Sequence, residues 1–272
     1  MTTASTTVAI IGAGVMGETL LSGLIRAGRR AEDLLVGEKR RERGHELRER
    51  YGVEVVGNVE AAERAETVVL VVKPQDMDDV LQEIAAHVRP GQLVVSLAAG
   101  ITTSFIEARV PDGVAVVRVM PNTPALVDEG MAAISRGSHC DESHLLEAES
   151  LMASTGRVIR VPERQQDAVT AVSGSGPGYI FFVVESMIEA GVHLGLPRNV
   201  AAELVVQTLV GSAKLLRETG EHPTVLRERV TSPGGTTAAA VRQLEDHKVR
   251  AAFLTALEAA RDRSRALAAG MD

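Results

Sequence analysis

The 272-residue chain has no tryptophan, two tyrosines and four phenylalanines, so aromatic side chains make up only 2% of it. That scarcity removes the base-stacking platforms that hold single-stranded nucleic acid, and it leaves the core to Val, Leu, Ile, Ala and Met. Positive charge is also short, with 29 Lys and Arg against 36 Asp and Glu and a net charge of -7. Sequence-independent binding to DNA or RNA needs an excess of cations over phosphates, so no nucleic-acid partner is expected. Cys140 is the only cysteine, which excludes an intrachain disulfide and any multi-cysteine metal site and fits a reducing compartment. The seven histidines show no H-x-x-x-H or mixed Cys/His spacing, so no metal is expected either. Long uncharged runs are missing too. The longest apolar run, Tyr179 to Leu196, contains Glu185, Glu189 and His193, and the opening MTTASTT lacks the basic region of a secretory signal. A cytoplasmic protein with no membrane partner is the expectation.

What is present is a 45% hydrophobic chain written in two grammars. From Val8 to about Val161 the runs VAII, DLLVG, TVVLVV, QLVVSL, VAVVRV and GRVIRV are short, β-branched and almost continuously apolar, as strands buried on both faces of a parallel sheet are. Amphipathic stretches with helix-start signals separate them, among them Pro74 after Lys73 and Thr102 or Thr103 before SFIEARV. Strand and helix in alternation predict an α/β fold with a doubly wound parallel sheet over residues 1–162. From 163 to 272 helical stretches take over, with Pro197 and Pro223 at helix starts. The stretch YIFFVVESMIEAGVHLG is apolar around most of a helical circumference and must be enclosed. About a hundred residues have limited means of surrounding such a helix, so an extensive helical homodimer is predicted.

Gly12, Gly14 and Gly17 stand in G-x-G-x-x-G spacing, with Val15 and Met16 between the last two, directly after a strand and at the opening of a helix. That context predicts a dinucleotide site: a tight turn, close backbone approach to a pyrophosphate, and tight helix-to-strand packing. Glu38 ends the second strand about 21 residues past Gly17, where an acidic residue accepts hydrogen bonds from an NAD ribose. Lys39, Arg40 and Arg41 follow and would instead hold the 2′-phosphate of NADP, unless they belong only to a solvated helix face. The cations tilt the expectation to NADPH, with NADH the alternative. Lys73 and Pro74 in VVKPQD, Ala98 in SLAAGIT and Asn122 in VMPNTPALVDEG fall at further carboxyl ends of strands, where such sheets bind ligands. Lys73 also reads as an ordinary surface lysine. In AVSGSGPGYIF, Ser173 or Ser175 is placed to cap the apolar helix, and Gly174, Gly176 and Gly178 suit helix packing as well as substrate contact.

Near the other end, VTSPGGTTAAAV places Ser232, Gly235, Thr236 and Thr237 at a helix start. A bare cap needs one Ser or Thr, so the surplus of N–H and hydroxyl donors there predicts a small carboxylate substrate.

Taken together, IGAGVMGETLLSGL, VVKPQD, MPNTPALV, AVSGSGPGY and ETGEHPTVLRERVTSPGGTTAAAV resemble the Δ1-pyrroline-5-carboxylate reductases, from about Val8 to about Leu267. SPGGTT after TGEHP is the most specific of these stretches. The resemblance implies reduction of 1-pyrroline-5-carboxylate to L-proline by NADPH or NADH. It also implies an N-terminal Rossmann domain, a helical dimerisation and substrate-binding domain and, in some members, rings of dimers. By position it puts Gly12, Gly14, Met16 and Gly17 on the pyrophosphate, Asn58 near the adenosine, and Val72, Lys73, Pro74, Ala98 and Asn122 beside the cofactor. Ser232, Gly235, Thr236 and Thr237 would hold the substrate, with Thr237 the candidate catalytic residue at the imine nitrogen. Gly178 departs from the Ala usual in the family. Two rivals remain: a β-hydroxyacid dehydrogenase, which should carry a lysine soon after SGSGPGY where the next lysine is Lys214, and a dinucleotide-binding redox sensor.

Overall fold

A computed structural model describes residues 6–270. Its strands are β1 (Val8–Ile11), β2 (Leu34–Gly37), β3 (Glu54–Val56), β4 (Thr67–Leu70), β5 (Leu93–Ser96), β6 (Ala115–Met120), β7 (Gly130–Arg136) and β8 (Gly156–Arg160). They form one sheet in the order β3-β2-β1-β4-β5-β6-β7-β8. Helices α1 (Val15–Arg26), α2 (Arg41–Tyr51), α3 (Asn58–Arg64), α4 (Met77–Ile84), α5 (Thr103–Glu107), α6 (Glu142–Ala153) and α7 (Gln166–Val169) accompany the sheet.

The continuous apolar runs are continuous because both sheet faces are covered. Val8 and Ile10 point into a core shared with Leu20, Leu24, Leu47 and Leu151, while Ala9 and Ile11 point into a second core with Ala61, Met77, Leu81 and Ile84. One residue of register shift would exchange the two layers, so the pairing is strongly specified. The six expected runs became β1, β2, β4, β5, β6 and β8. Two strands carried no such signal. β3 is a three-residue edge strand with one exposed position, and β7, GMAAISR, is built from small residues around a single β-branched Ile134. Every pairing is parallel except β6 with β7, whose antiparallel register runs from Val117 opposite Arg136 to Met120 opposite Ala133.

By compactness the described residues fall into two units, one running to Ser175 and resumed from Ala260, the other Gly176–Ala259. The segment following β8 belongs with the sheet because its polar side chains are spent there. Glu163 accepts from the N–H and hydroxyl of Thr103 at 2.7 and 2.6 Å, and Gln166 donates to Ala133 O and Ser135 Oγ. The AVSGSG stretch is a π-helical turn over Thr170–Gly174, and the Ser173 hydroxyl bonds back to the Val169 carbonyl.

The second unit is helical: α8 (Gly176–His193), α9 (Arg198–Thr219), α10 (Pro223–Arg229), α11 (Thr236–Asp246) and most of α12 (Val249–Ala269). α8 packs on α9, where a Cβ on Gly191 would lie 3.0 Å from the Ala201 methyl. None of its residues is buried, however, and Ile180, Phe181 and Phe182 are 46, 65 and 69% exposed. Among the described residues no helix is long and apolar enough to cross a membrane.

Candidate active site

Strand order reverses beside β1, which pairs with β2 on one side and β4 on the other. Loops leaving two such strands diverge, and the gap between them is where open α/β sheets take ligands. The three glycines meet three different needs there. Gly12 has φ +96°, and a Cβ on it would sit 2.6 Å from the Val71 carbonyl oxygen, so the turn tolerates no side chain. A Cβ on Gly17 would lie 2.2 Å from the Gly12 carbonyl oxygen, which fixes how closely α1 approaches the loop. Around Gly14 there is nothing within 4 Å. Gly14 is also the N-cap of α1 and offers no side-chain cap, so the N–H groups opening the helix have no partner among the described residues. A dinucleotide pyrophosphate fits this cradle, which combines room, unpaired donors and the positive end of a helix dipole.

The residues expected on the adenosine side are brought together at the end of β2. Arg40 grips the Glu38 carboxylate with two guanidinium bonds of 3.0 and 2.9 Å, and its backbone N–H adds a third. Burial alone would push the Glu38 carboxyl up, but these bonds outweigh it and hold the group below the usual carboxylate range. Lys39 pairs with Glu83 at 2.9 Å, and Asn58 Nδ2 donates to the same Glu83 oxygen at 2.9 Å. Asn58 is buried against the end of β2, where a Cβ on Gly37 would come within 2.8 Å of its Oδ1. Glu83 and Arg43 join these candidate residues and were not singled out from the sequence. Arg43 donates to the Ala13 carbonyl within the glycine loop at 3.1 Å and pairs with Glu18 in the first turn of α1. Both look like ordinary charges on helix faces, and only the packing of α2 and α4 beside the loop reveals them.

Val72, Lys73, Pro74, Ala98 and Asn122 follow β4, β5 and β6 by two to four residues, so they share one edge of the sheet with the glycine loop. Val72 packs on Gly12, Ala98 is buried, and Lys73 is exposed with no acidic partner among the described residues. Asn122 is engaged by protein at both ends of its amide. Its Oδ1 accepts the Met131 N–H at 2.8 Å and its Nδ2 donates to the Ser173 carbonyl at 3.1 Å. It therefore ties the loop after β6 to β7 and to the π-turn. Asn122→Ala is expected to lower the unfolding free energy by about 2 kcal/mol, because the Met131 N–H loses its acceptor. An unchanged urea midpoint would assign Asn122 to ligand contact alone.

In the helical unit, Ser232 to Thr237 form a turn into α11. Gly235 is the N-cap without a side-chain bond, and Gly234 has φ +69°. The Gly235 N–H is taken by the Ser232 carbonyl at 3.0 Å, so it is not one of the free donors that the sequence suggested. The N–H groups of Thr236 and Thr237 and the hydroxyls of Ser232, Thr236 and Thr237 make no bond among the described residues. That leaves five unspent donors around one helix N-terminus, a fit for a small carboxylate with an adjacent polar atom.

Residues 163–267 match the family described as pyrroline-5-carboxylate reductase dimerisation, and residues 7–100 match NADP oxidoreductase coenzyme F420-dependent. A pyrroline-5-carboxylate reductase of Corynebacterium melassecola is 46% identical over 96% of this chain and 98% of its own length. One of Mycobacterium tuberculosis is 43% identical over 96% of both chains. Among solved structures, a pyrroline-5-carboxylate reductase from Coxiella burnetii superposes with TM-score 0.93 at 36% identity, covering 97% of this chain and 99% of its own. A Plasmodium falciparum pyrroline carboxylate reductase with NADP bound gives 0.86 at 29% identity, covering 97% and 98%. Sheet, glycine cradle and these likenesses define an NAD(P)-dependent oxidoreductase. Within that class, the chain belongs to the pyrroline-5-carboxylate reductase family.

Proposed function

We propose that this protein reduces 1-pyrroline-5-carboxylate to L-proline, the last step of proline synthesis, with NADPH preferred over NADH. Family membership supports the reaction, and the donor array opening α11 is the observation that carries the substrate class. Proline formation requires one hydride at the C=N carbon, which the bound nicotinamide supplies, and one proton retained on nitrogen. A protonated cyclic imine is already electrophilic, so the chain's task is chiefly alignment. The N–H groups of Thr236 and Thr237 with the Ser232 hydroxyl hold the carboxylate, and the Thr237 hydroxyl hydrogen-bonds the ring nitrogen and keeps its proton in place. On the cofactor side, Gly12, Gly14, Val15, Met16 and Gly17 cradle the pyrophosphate. Lys39 and Arg40 face the 2′-phosphate, and Val72, Lys73, Pro74 and Ala98 flank the rest of the dinucleotide.

Residues 1–162 act in this reading as the dinucleotide-binding domain and 163–272 as the dimerisation and substrate-binding domain. The exposed apolar side chains of α8 are covered by a second copy in a homodimer, with a ring of dimers as a higher state, and the setting is the cytoplasm. Initial rates of NADPH and NADH oxidation at about 340 nm, with and without racemic 1-pyrroline-5-carboxylate, test the reaction. Substrate-dependent oxidation with proline formed, faster with NADPH, is expected. Binding of NADPH without consumption would point to a sensor, and faster turnover with NADH would reverse the cofactor assignment.

A further inference from the structure

The loop after β2 carries two cations beside the adenosine end of the crevice, and each is already neutralised, but in different ways. Arg40 is matched by Glu38 two residues away, through side chain and backbone together, so that pair is part of the local turn. Lys39 is matched from a separate element by Glu83 of α4, and the same carboxylate oxygen takes the Asn58 amide. Glu83 stays charged: burial works to raise its carboxyl, and the bonds from Lys39 and Asn58 outweigh that and hold it low. These four charges sum to zero, whereas a phosphomonoester brings a charge of about -1.5 to -2. For Lys39 to reach such a group it must leave Glu83. The pair is breakable, because the lysine side chain is 67% exposed and exposed pairs contribute little.

We propose that Glu83 is a specificity-determining residue that weakens 2′-phosphate recognition by sequestering Lys39, and so narrows the preference for NADPH over NADH. This rests on the crevice being the dinucleotide site. Asn58 makes the sequestration stable. It is fixed against β2 by the absence of a side chain at Gly37, and it anchors the Glu83 carboxylate within reach of the lysine.

The test is calorimetric titration of the full chain with adenosine 2′,5′-bisphosphate and with 5′-AMP, which differ only in the 2′-phosphate and involve no turnover. Glu83→Gln keeps an acceptor for Asn58 and removes the charge. It is expected to bind the bisphosphate about fivefold tighter, the size of one unit of charge interaction in a mostly aqueous setting, with 5′-AMP unchanged. In Lys39→Met/Glu83→Gln the gain should disappear relative to Lys39→Met alone, since coupled residues do not add. A Glu83→Gln chain that binds both nucleotides as the parent does overturns the inference, as does a gain that survives loss of Lys39. Failure of the parent chain to bind either nucleotide overturns the dinucleotide reading itself and the inference with it.

Discussion

Gly14→Asp is expected to leave the protein folded, with a melting temperature equal to or above that of the parent, and to raise the Kd for NADPH about 100-fold or more. The two effects separate because of what surrounds this glycine. It has an ordinary φ of -71° and nothing within 4 Å of where a side chain would begin, so the fold does not oppose a substituent. Aspartate is a favoured N-cap, and its carboxylate would accept from the N–H groups opening α1. On the proposed reading those are the donors for the pyrophosphate, and the new negative charge would oppose its phosphates. Losing about 3 kcal/mol of charge-assisted bonding corresponds to roughly 100-fold in affinity. Gly17→Ala should behave in the opposite sense. A Cβ there meets the Gly12 carbonyl oxygen at 2.2 Å, backbone must move, and stability falls by about 1–3 kcal/mol. Thermal melts alongside fluorescence titration with NADPH check both variants. A Gly14→Asp chain that binds NADPH normally would place the pyrophosphate elsewhere.

That contrast also shows how far the sequence could be read. Spacing located all three glycines, but which one faces free space is a property of the neighbouring strand, since Val71 lies beside Gly12 only through the pairing of β1 with β4. The doubly wound sheet was legible because strands buried on both faces leave unbroken Val and Ile runs. β7 was not, because its Ala132 and Ala133 sit in the sheet through small size and long-range pairing and give no local pattern. At the site, residue types fixed the donors at Ser232, Thr236 and Thr237, yet the use of the Gly235 N–H by the turn itself required the folded backbone. Glu38 and Arg40 were each legible only as candidates, one for a ribose hydroxyl and the other for a phosphate. Their mutual grip could not be anticipated, because it depends on a turn that folds the guanidinium back over the carboxylate.

Thr237→Ala is expected to lower kcat about 100-fold while raising KM for 1-pyrroline-5-carboxylate far less, and Thr237→Ser should recover most of the loss. The reasoning begins with what the hydroxyl does not do. Gly235 occupies the N-cap, no side-chain cap is formed, and the Thr237 hydroxyl makes no bond among the described residues, so its removal should leave the melting temperature unchanged. If the carboxylate is held as proposed, by backbone N–H groups at the start of α11, an alanine retains them, and ground-state binding should therefore persist. What disappears, on the proposed reading, is a donor and acceptor for the ring nitrogen, whose charge state changes as the imine becomes an amine. One positioned group of that kind contributes about 100-fold to turnover. Serine keeps the hydroxyl and loses only a methyl, so recovery by serine distinguishes proton handling from packing. Full turnover in Thr237→Ala, with proline formed at the parental rate, would show that the nitrogen's proton is managed by another group or by water. The α11 N-terminus would then be a carboxylate anchor alone.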